Sequence, residues 1–172
     1  MKTDELRTSF LEYFKNKGHK EILASPLPID DPSLMFTIAG MVPLKKYFLG
    51  EEEPPHTRLT SVQRCLRTND IEKVGKTPRH HTFFEMLGNF SIGDYFKDEA
   101  IYLALEFLTK NISLPLEKLW VSVYPKDYET KSIWQKLIPQ SRIIESDENF
   151  WQMAQTGPAG YDSEIYFDLG ED

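Results

Sequence analysis

Residues Arg79-His80-His81-Thr82-Phe83-Phe84-Glu85-Met86-Leu87-Gly88-Asn89-Phe90 bring a guanidinium, two imidazoles, three phenyl rings and a carboxylate into twelve consecutive positions. An ordinary half-buried strand alternates apolar with polar residues, whereas here hydrogen-bonding and stacking groups stand side by side. The mixture suits a planar heterocycle that carries phosphates: rings against the base, cations for the oxyanions, a carboxylate for an amino group. A second basic segment, Ser61-Val62-Gln63-Arg64-Cys65-Leu66-Arg67, precedes it across a polar connection over 68–78. The pattern predicts a long-looped antiparallel hairpin over 61–90 that holds a nucleotide.

His80 and His81 invite a metal, but adjacent side chains on a strand diverge and no third ligand sits at a suitable spacing. Hydrogen bonds to phosphate or to the loop account for them better. The lone Cys65 excludes an internal disulfide and fits a reducing compartment. It reads as a small apolar strand residue and not as a nucleophile.

The chain has 172 residues, most simply one domain, with 40% hydrophobic and 13% aromatic residues, enough for a real core. Its net charge of −7 argues against a surface that grips nucleic acid throughout. The charge is uneven, because Arg58, Arg64, Arg67, Lys73, Lys76 and Arg79 cluster before His81 against only Asp70 and Glu72. An acidic protein with one basic pocket suits a small polyanion, or one end of a larger one. No run reaches the apolar length of a membrane span, and the N-terminus reads as an amphipathic helix, so a cytoplasmic protein is expected.

The elements that position these residues follow from periodicity. Thr3 is the expected N-cap of a first helix with Leu6, Phe10, Tyr13 and Phe14 on one face, ended by Gly18. A short strand is expected over 21–24. The three prolines of 25–32 predict an irregular segment. Another strand over 34–37, broken near Gly40, precedes a helical turn over 45–49. Beyond the hairpin the spacing predicts a helix over 98–110, a strand over 119–124, a helix over 129–137, and strands over 142–145 and 164–168. A mixed or mainly antiparallel sheet flanked by helices, α+β in class, fits this order. The last strand gives way at once to Gly170-Glu171-Asp172 while sheet is still being built, which raises an expectation of truncation.

Several segments carry a resemblance: Phe14-Lys15-Asn16-Lys17-Gly18-His19, Asp31-Pro32-Ser33-Leu34-Met35-Phe36-Thr37, Ala39-Gly40-Met41, Arg67-Thr68-Asn69-Asp70-Ile71-Glu72-Lys73-Val74-Gly75, the whole of 79–96, Asn149-Phe150-Trp151 and Gly157-Pro158. On these, the chain resembles the N-terminal part of the catalytic domain of the alanyl-tRNA synthetases, a family of class II aminoacyl-tRNA synthetases. The resemblance covers 1–172, with motifs 1 and 2 present and motif 3 absent. It implies the class II antiparallel sheet flanked by helices, and ATP with Mg2+, alanine and the acceptor end of tRNA(Ala) as ligands. A second copy or the remaining synthetase domains are the implied protein partners. The zinc of some members belongs to regions outside this segment.

The resemblance also implies roles. Arg67 aligns with the motif 2 arginine on the α-phosphate, the one catalytic residue expected here. Arg79 and Phe83 match the second half of motif 2, with Phe83 as the adenine platform. One of Phe83 and Phe84 must face the core, and the alignment favours Phe83 for the ligand. His80, Glu85 and Met86 are implied near the base or triphosphate, and Met86 suits core packing equally well. Met41 and Trp151 are implied at the alanine pocket, where an indole wall excludes larger side chains but discriminates weakly against glycine.

Three departures stand out: a short motif 2 loop, Ile38 where the family usually has asparagine, and Tyr161-Asp162 in place of a proline-led pair. The motif 3 arginine and the aspartate for the alanine ammonium are not among these residues. The competing reading is a non-catalytic nucleotide- or tRNA-acceptor-binding paralogue that kept motif 2. A purely structural domain, with the aromatic strand as core, is the third.

Overall fold

A computed structural model describes residues 1–31, 34–69, 71–78, 80–153 and 157–170. The chain divides into two compact units, Met1–Asp94 and Tyr95–Asp172. Both combine helices with small sheets, an α+β arrangement.

In the first unit, helix α1 (Thr3–Asn16) buries Phe10, Tyr13 and Phe14 at helical spacing. Its N-cap is Lys2 and not Thr3, which is already helical; Glu5 reaches back to accept the Lys2 amide at 2.7 Å. Gly18 ends it at φ +83, with the Gly18 amide on Lys15 O and the His19 amide on Phe14 O, both at 3.0 Å. This paired closure needs a left-handed residue after the last turn, which glycine supplies without strain.

Strand β1 (Lys20–Glu21) follows, shorter than expected. The proline-rich stretch is not wholly irregular: β2 (Pro28–Asp31) pairs antiparallel with β3 (Leu34–Phe36). Proline is tolerated at the first position of this two-stranded ribbon, where its missing amide interrupts no central ladder. A tight turn over Val42–Leu44 leads into α2 (Lys45–Phe48). The hairpin strands are β4 (Arg58–Leu66) and β5 (Phe83–Ser91), and β1 joins β4 in parallel to give the order β1-β4-β5.

In the second unit, α3 (Lys97–Glu106) runs into a π-helical turn over Phe107–Asn111. Strand β6 (Leu119–Val123) lies at the centre of a second three-stranded sheet, flanked by β7 (Ile143–Glu145) in parallel and β10 (Ser163–Phe167) antiparallel. Helix α4 (Tyr128–Gln135) packs with α3 on one face, where Ile101, Val121, Val123, Ile133, Trp134, Ile138 and Ile143 form the core. The buried Asp127 caps α4, accepting the Thr130 amide and hydroxyl at 3.2 and 2.7 Å. Lys97 meets the same carboxylate at 2.7 Å. A small hairpin of β8 (Phe150–Gln152) and β9 (Ala159–Tyr161) precedes β10 and was not foreseen from periodicity. Among the described residues no helix is long and apolar enough to cross a membrane.

Candidate nucleotide-binding face

The β4–β5 register decides which side chains can meet one ligand. Leu66 pairs with Phe83, Cys65 with Phe84, Arg64 with Glu85 and Gln63 with Met86. Directly paired residues share a face and successive residues alternate. The front therefore carries Ser61, Gln63, Cys65, Phe84, Met86, Gly88 and Phe90, while the back carries Arg58, Arg64, Leu66, Phe83 and Glu85. One further bond continues the ladder, from the Arg67 amide to Thr82 O at 2.8 Å, so Arg67 belongs to the front series.

On that front, the Arg67 guanidinium carbon lies 5.2 Å from the centroid of the Phe84 ring. Its Nε donates to the Ile38 carbonyl at 2.9 Å. No hydrogen bond joins its Nη1 or Nη2 to another described residue. A guanidinium whose outer two nitrogens have no partner among the described residues has the chemistry to meet a phosphate-like anion with two parallel bonds. Ile38 serves here through its carbonyl, so the side chain that departs from the family pattern is not the group engaged.

The expected partner ring is corrected by this geometry. Phe83 pairs with Leu66, faces the back and is 53% exposed; Phe84 is the phenyl group that shares a face with Arg67. Glu85 also lies on the back, where it accepts from Arg7 Nε at 2.6 Å; Arg7 bonds Asp4 as well. The hydrogen bond to Glu85 is the main cause that raises the Arg7 pKa. Met86 does stand on the front, its Sδ accepting the Gly40 amide at 3.1 Å. His80 turns into the connecting loop, its Nδ1 2.6 Å from Thr77 Oγ1, and His81 is exposed. Arg79 lies outside the described residues, as do Pro32, Ser33 and Asp70 of the matched segments.

The front is supported from residues 22–47. Gln63 pairs its amide with the Ser25 backbone in both directions, at 2.8 and 2.9 Å, imitating a strand neighbour. Leu66 donates to Thr37 O at 3.0 Å, and the buried Thr37 hydroxyl donates to Pro26 O at 2.9 Å. A cavity of about 270 Å3 opens among Ser25, Gly40, Tyr47, Ser61 and Gln63. Cys65 is fully buried, and burial pushes its thiol pKa up against the opposing pull of Arg67. That suits a packing residue and not a nucleophile.

Trp151 sits half-buried on β8 opposite Gly160. The hairpin is tied at its base by Asn149 Nδ2 to Asp162 Oδ1 at 2.9 Å and by the Asp162 amide to Asn149 O at 3.0 Å. Tyr161 stacks on Tyr124 with centroids 4.5 Å apart and planes at 14°, with Phe150 against both. The Tyr161-Asp162 departure is thus built into its own surroundings, one residue by stacking and the other by hydrogen bonding. Met41 belongs to the first unit and Trp151 to the second. Among the described residues, no group of three or more His, Cys, Asp or Glu side chains is placed to hold a metal ion.

The family comparison agrees with the resemblance that the matched segments carry. Residues 5–172 match the model of the class II tRNA synthetases (A), and the chain belongs to that family. Among curated relatives, it is 58% identical to the alanine–tRNA ligase of Petrotoga mobilis over 98% of this chain and 20% of that protein. It is 56% identical to the alanine–tRNA ligases of Fervidobacterium nodosum and Thermotoga maritima, over 99% of this chain and 20% of each. The chain therefore spans about a fifth of the length of these relatives.

Proposed function

We propose that this chain is the N-terminal part of the catalytic domain of an alanine–tRNA ligase and supplies the ATP-binding face of its adenylation site. In that reaction a carboxylate oxygen of alanine attacks the α-phosphorus of ATP. The bond to the β-phosphate breaks, pyrophosphate leaves with the electron pair, and alanyl-adenylate then esterifies the 3′ end of tRNA(Ala). Arg67 meets the α-phosphate, where negative charge spreads over the oxygens as the transition state forms. Phe84 supplies the ring for adenine, in place of Phe83. Magnesium enters as a companion of the triphosphate. Trp151 is proposed as a residue that meets the alanine side chain, and a cytoplasmic setting suits the reaction.

The observation that carries this reading is the Arg67 guanidinium held at Nε by the Ile38 carbonyl and lying 5.2 Å from the Phe84 ring centroid, on the same face of the ribbon. Calorimetry with ATP and with a non-hydrolysable alanyl-adenylate analogue tests it. Binding of both, with the analogue tighter, is expected, and Arg67→Ala abolishes both. ATP binding indifferent to the alanyl group would favour a nucleotide-binding paralogue instead, and no binding of either would overturn the reading. Alanine-dependent pyrophosphate exchange, weak in this chain and robust in one extended through motif 3, is the corresponding activity measurement.

A further inference from the structure

We propose that Met86 is a positioning residue for Arg67, acting through the backbone of residues 37–40. The proposal rests on the reading of Arg67 as the phosphate-binding cation. Two anchors hold that segment. On one side Thr37 is buried, its hydroxyl donating to Pro26 O at 2.9 Å and its amide to Leu27 O at 2.8 Å. On the other, the Gly40 amide descends onto the front of the ribbon and donates to Met86 Sδ at 3.1 Å. A Cβ at Gly40 would stand 3.5 Å from Phe90 Cζ and 3.6 Å from Met86 Sδ, so the backbone there already lies against both side chains.

Between the anchors, the Ile38 carbonyl accepts from Arg67 Nε at 2.9 Å. This contact orients the guanidinium, because Nε joins the planar group to its aliphatic stem and lies in one plane with the outer two nitrogens. Hydrogen-bond strength falls steeply with angle and distance, so a small shift of residues 37–40 is enough to release it. Leucine matches the volume of methionine but carries no lone pair, and would leave the Gly40 N–H without its acceptor in a part-buried place. Met86 is thus matched to its place by chemistry as well as by shape.

The test measures hydrogen exchange of the Arg67 Nε–H by nitrogen-15 NMR on this chain, the signal being assigned by its loss in Arg67→Lys. In the wild-type chain the Nε–H is protected. Met86→Leu is expected to speed its exchange about three- to tenfold, the loss appropriate to one modest hydrogen bond, and to weaken ATP binding by a similar factor. Met86→Gln, whose side-chain carbonyl can accept the same amide, restores protection. A mere packing role predicts the reverse order, with leucine tolerated and glutamine harmful. Unchanged exchange in Met86→Leu, or a folded Met86→Gln chain without protection, overturns the proposal. Protection that depends on Met86 in a chain that binds no ATP would leave the positioning standing and sink the nucleotide reading.

Discussion

The two faces of the β4–β5 ribbon are made from the same stretch of sequence and do opposite work. The front pairs Arg67 with Phe84 and backs them with Met86, Gly88 and Phe90, a surface without a carboxylate among its strand residues. The back carries Glu85 and Arg58, and α1 is fastened across it. Arg7 bonds Glu85, while Arg58 reaches Lys17 O at 3.3 Å and holds Asp94 through Nε and Nη2 at 2.9 and 2.7 Å. Among the described strand residues, charge on the front is the Arg67 cation beside neutral groups, whereas on the back Arg58 and Glu85 are each ion-paired and Arg64 is exposed. The back fastens a helix, and on the proposed reading the front meets an anion.

The comparison breaks most readily at its two arginines. Arg67 and Arg64 are both exposed and three residues apart, yet they stand on opposite faces. Arg67→Ala is expected to remove ATP binding by this chain and to lower adenylation, in a chain extended through motif 3, by on the order of 10²–10³. Arg64→Ala should leave both within about twofold, as a surface substitution away from the site. Equal losses in the two variants, read by calorimetry and by pyrophosphate exchange, would dissolve the distinction between the faces.

The adjacent phenylalanines sharpen it further. Phe84→Leu should weaken ATP binding by roughly 1–3 kcal/mol, the worth of one base–aromatic stack. Phe83→Leu should change ATP affinity little, since its ring points away from Arg67. A larger effect at Phe83 than at Phe84 would restore the assignment that alignment alone suggests.

That assignment shows where sequence reasoning stops. The hairpin itself, the helix ending at Gly18 and the strands over 119–124, 142–145 and 164–168 follow from alternation, helical spacing and turn chemistry, and the structure places elements there. That Phe83 and Phe84 diverge is equally plain from the strand period. Which of them joins Arg67 depends on register across a loop of more than ten residues, and no local pattern states that register. The bond from Arg67 to Thr82 O settles it. The Ile38 contact was hidden for another reason: it is made by a backbone carbonyl, which every residue type possesses. Likewise the Arg7–Glu85 pair spans 78 positions and leaves no local trace.

Gly88 probes the front without touching charge. A Cβ there would come within 2.5 Å of Phe90 Cζ, because the ring lies across the bare backbone of its neighbour two positions earlier. Gly88→Ala should displace the ring and cost about 1–3 kcal/mol, the usual range for overpacking, measured by chemical denaturation. Since the same ring touches the approach to Gly40, the variant should also weaken ATP binding modestly. A variant as stable as wild type would mean that Phe90 can leave at little cost and that the front is less tightly built than the back.

Acid should loosen the back, where the Asp94 carboxylate is held by Arg58. Hydrogen bonds from Arg58, then from Thr57, hold the Asp94 carboxyl below its ordinary value, against the opposing influence of burial. A carboxyl whose folded pKa is depressed contributes stability that is fully present above its unfolded value, ordinarily about 3.9. That contribution is lost as pH falls through the folded value. Asp127 titrates in the same sense, because bonds from Lys97 and Thr130 outweigh its burial, but it belongs to the second unit and is common to any variant of the first. The difference between wild type and Asp94→Asn therefore isolates the Arg58 clamp. Thermal unfolding followed from pH 7 to about pH 3 should show Asp94→Asn melting lower near neutrality and the gap closing below about pH 4. Curves that stay parallel throughout would mean that the Asp94 charge does not hold the back face, and the contrast between a neutral-walled front and an ion-paired back would lose its energetic meaning.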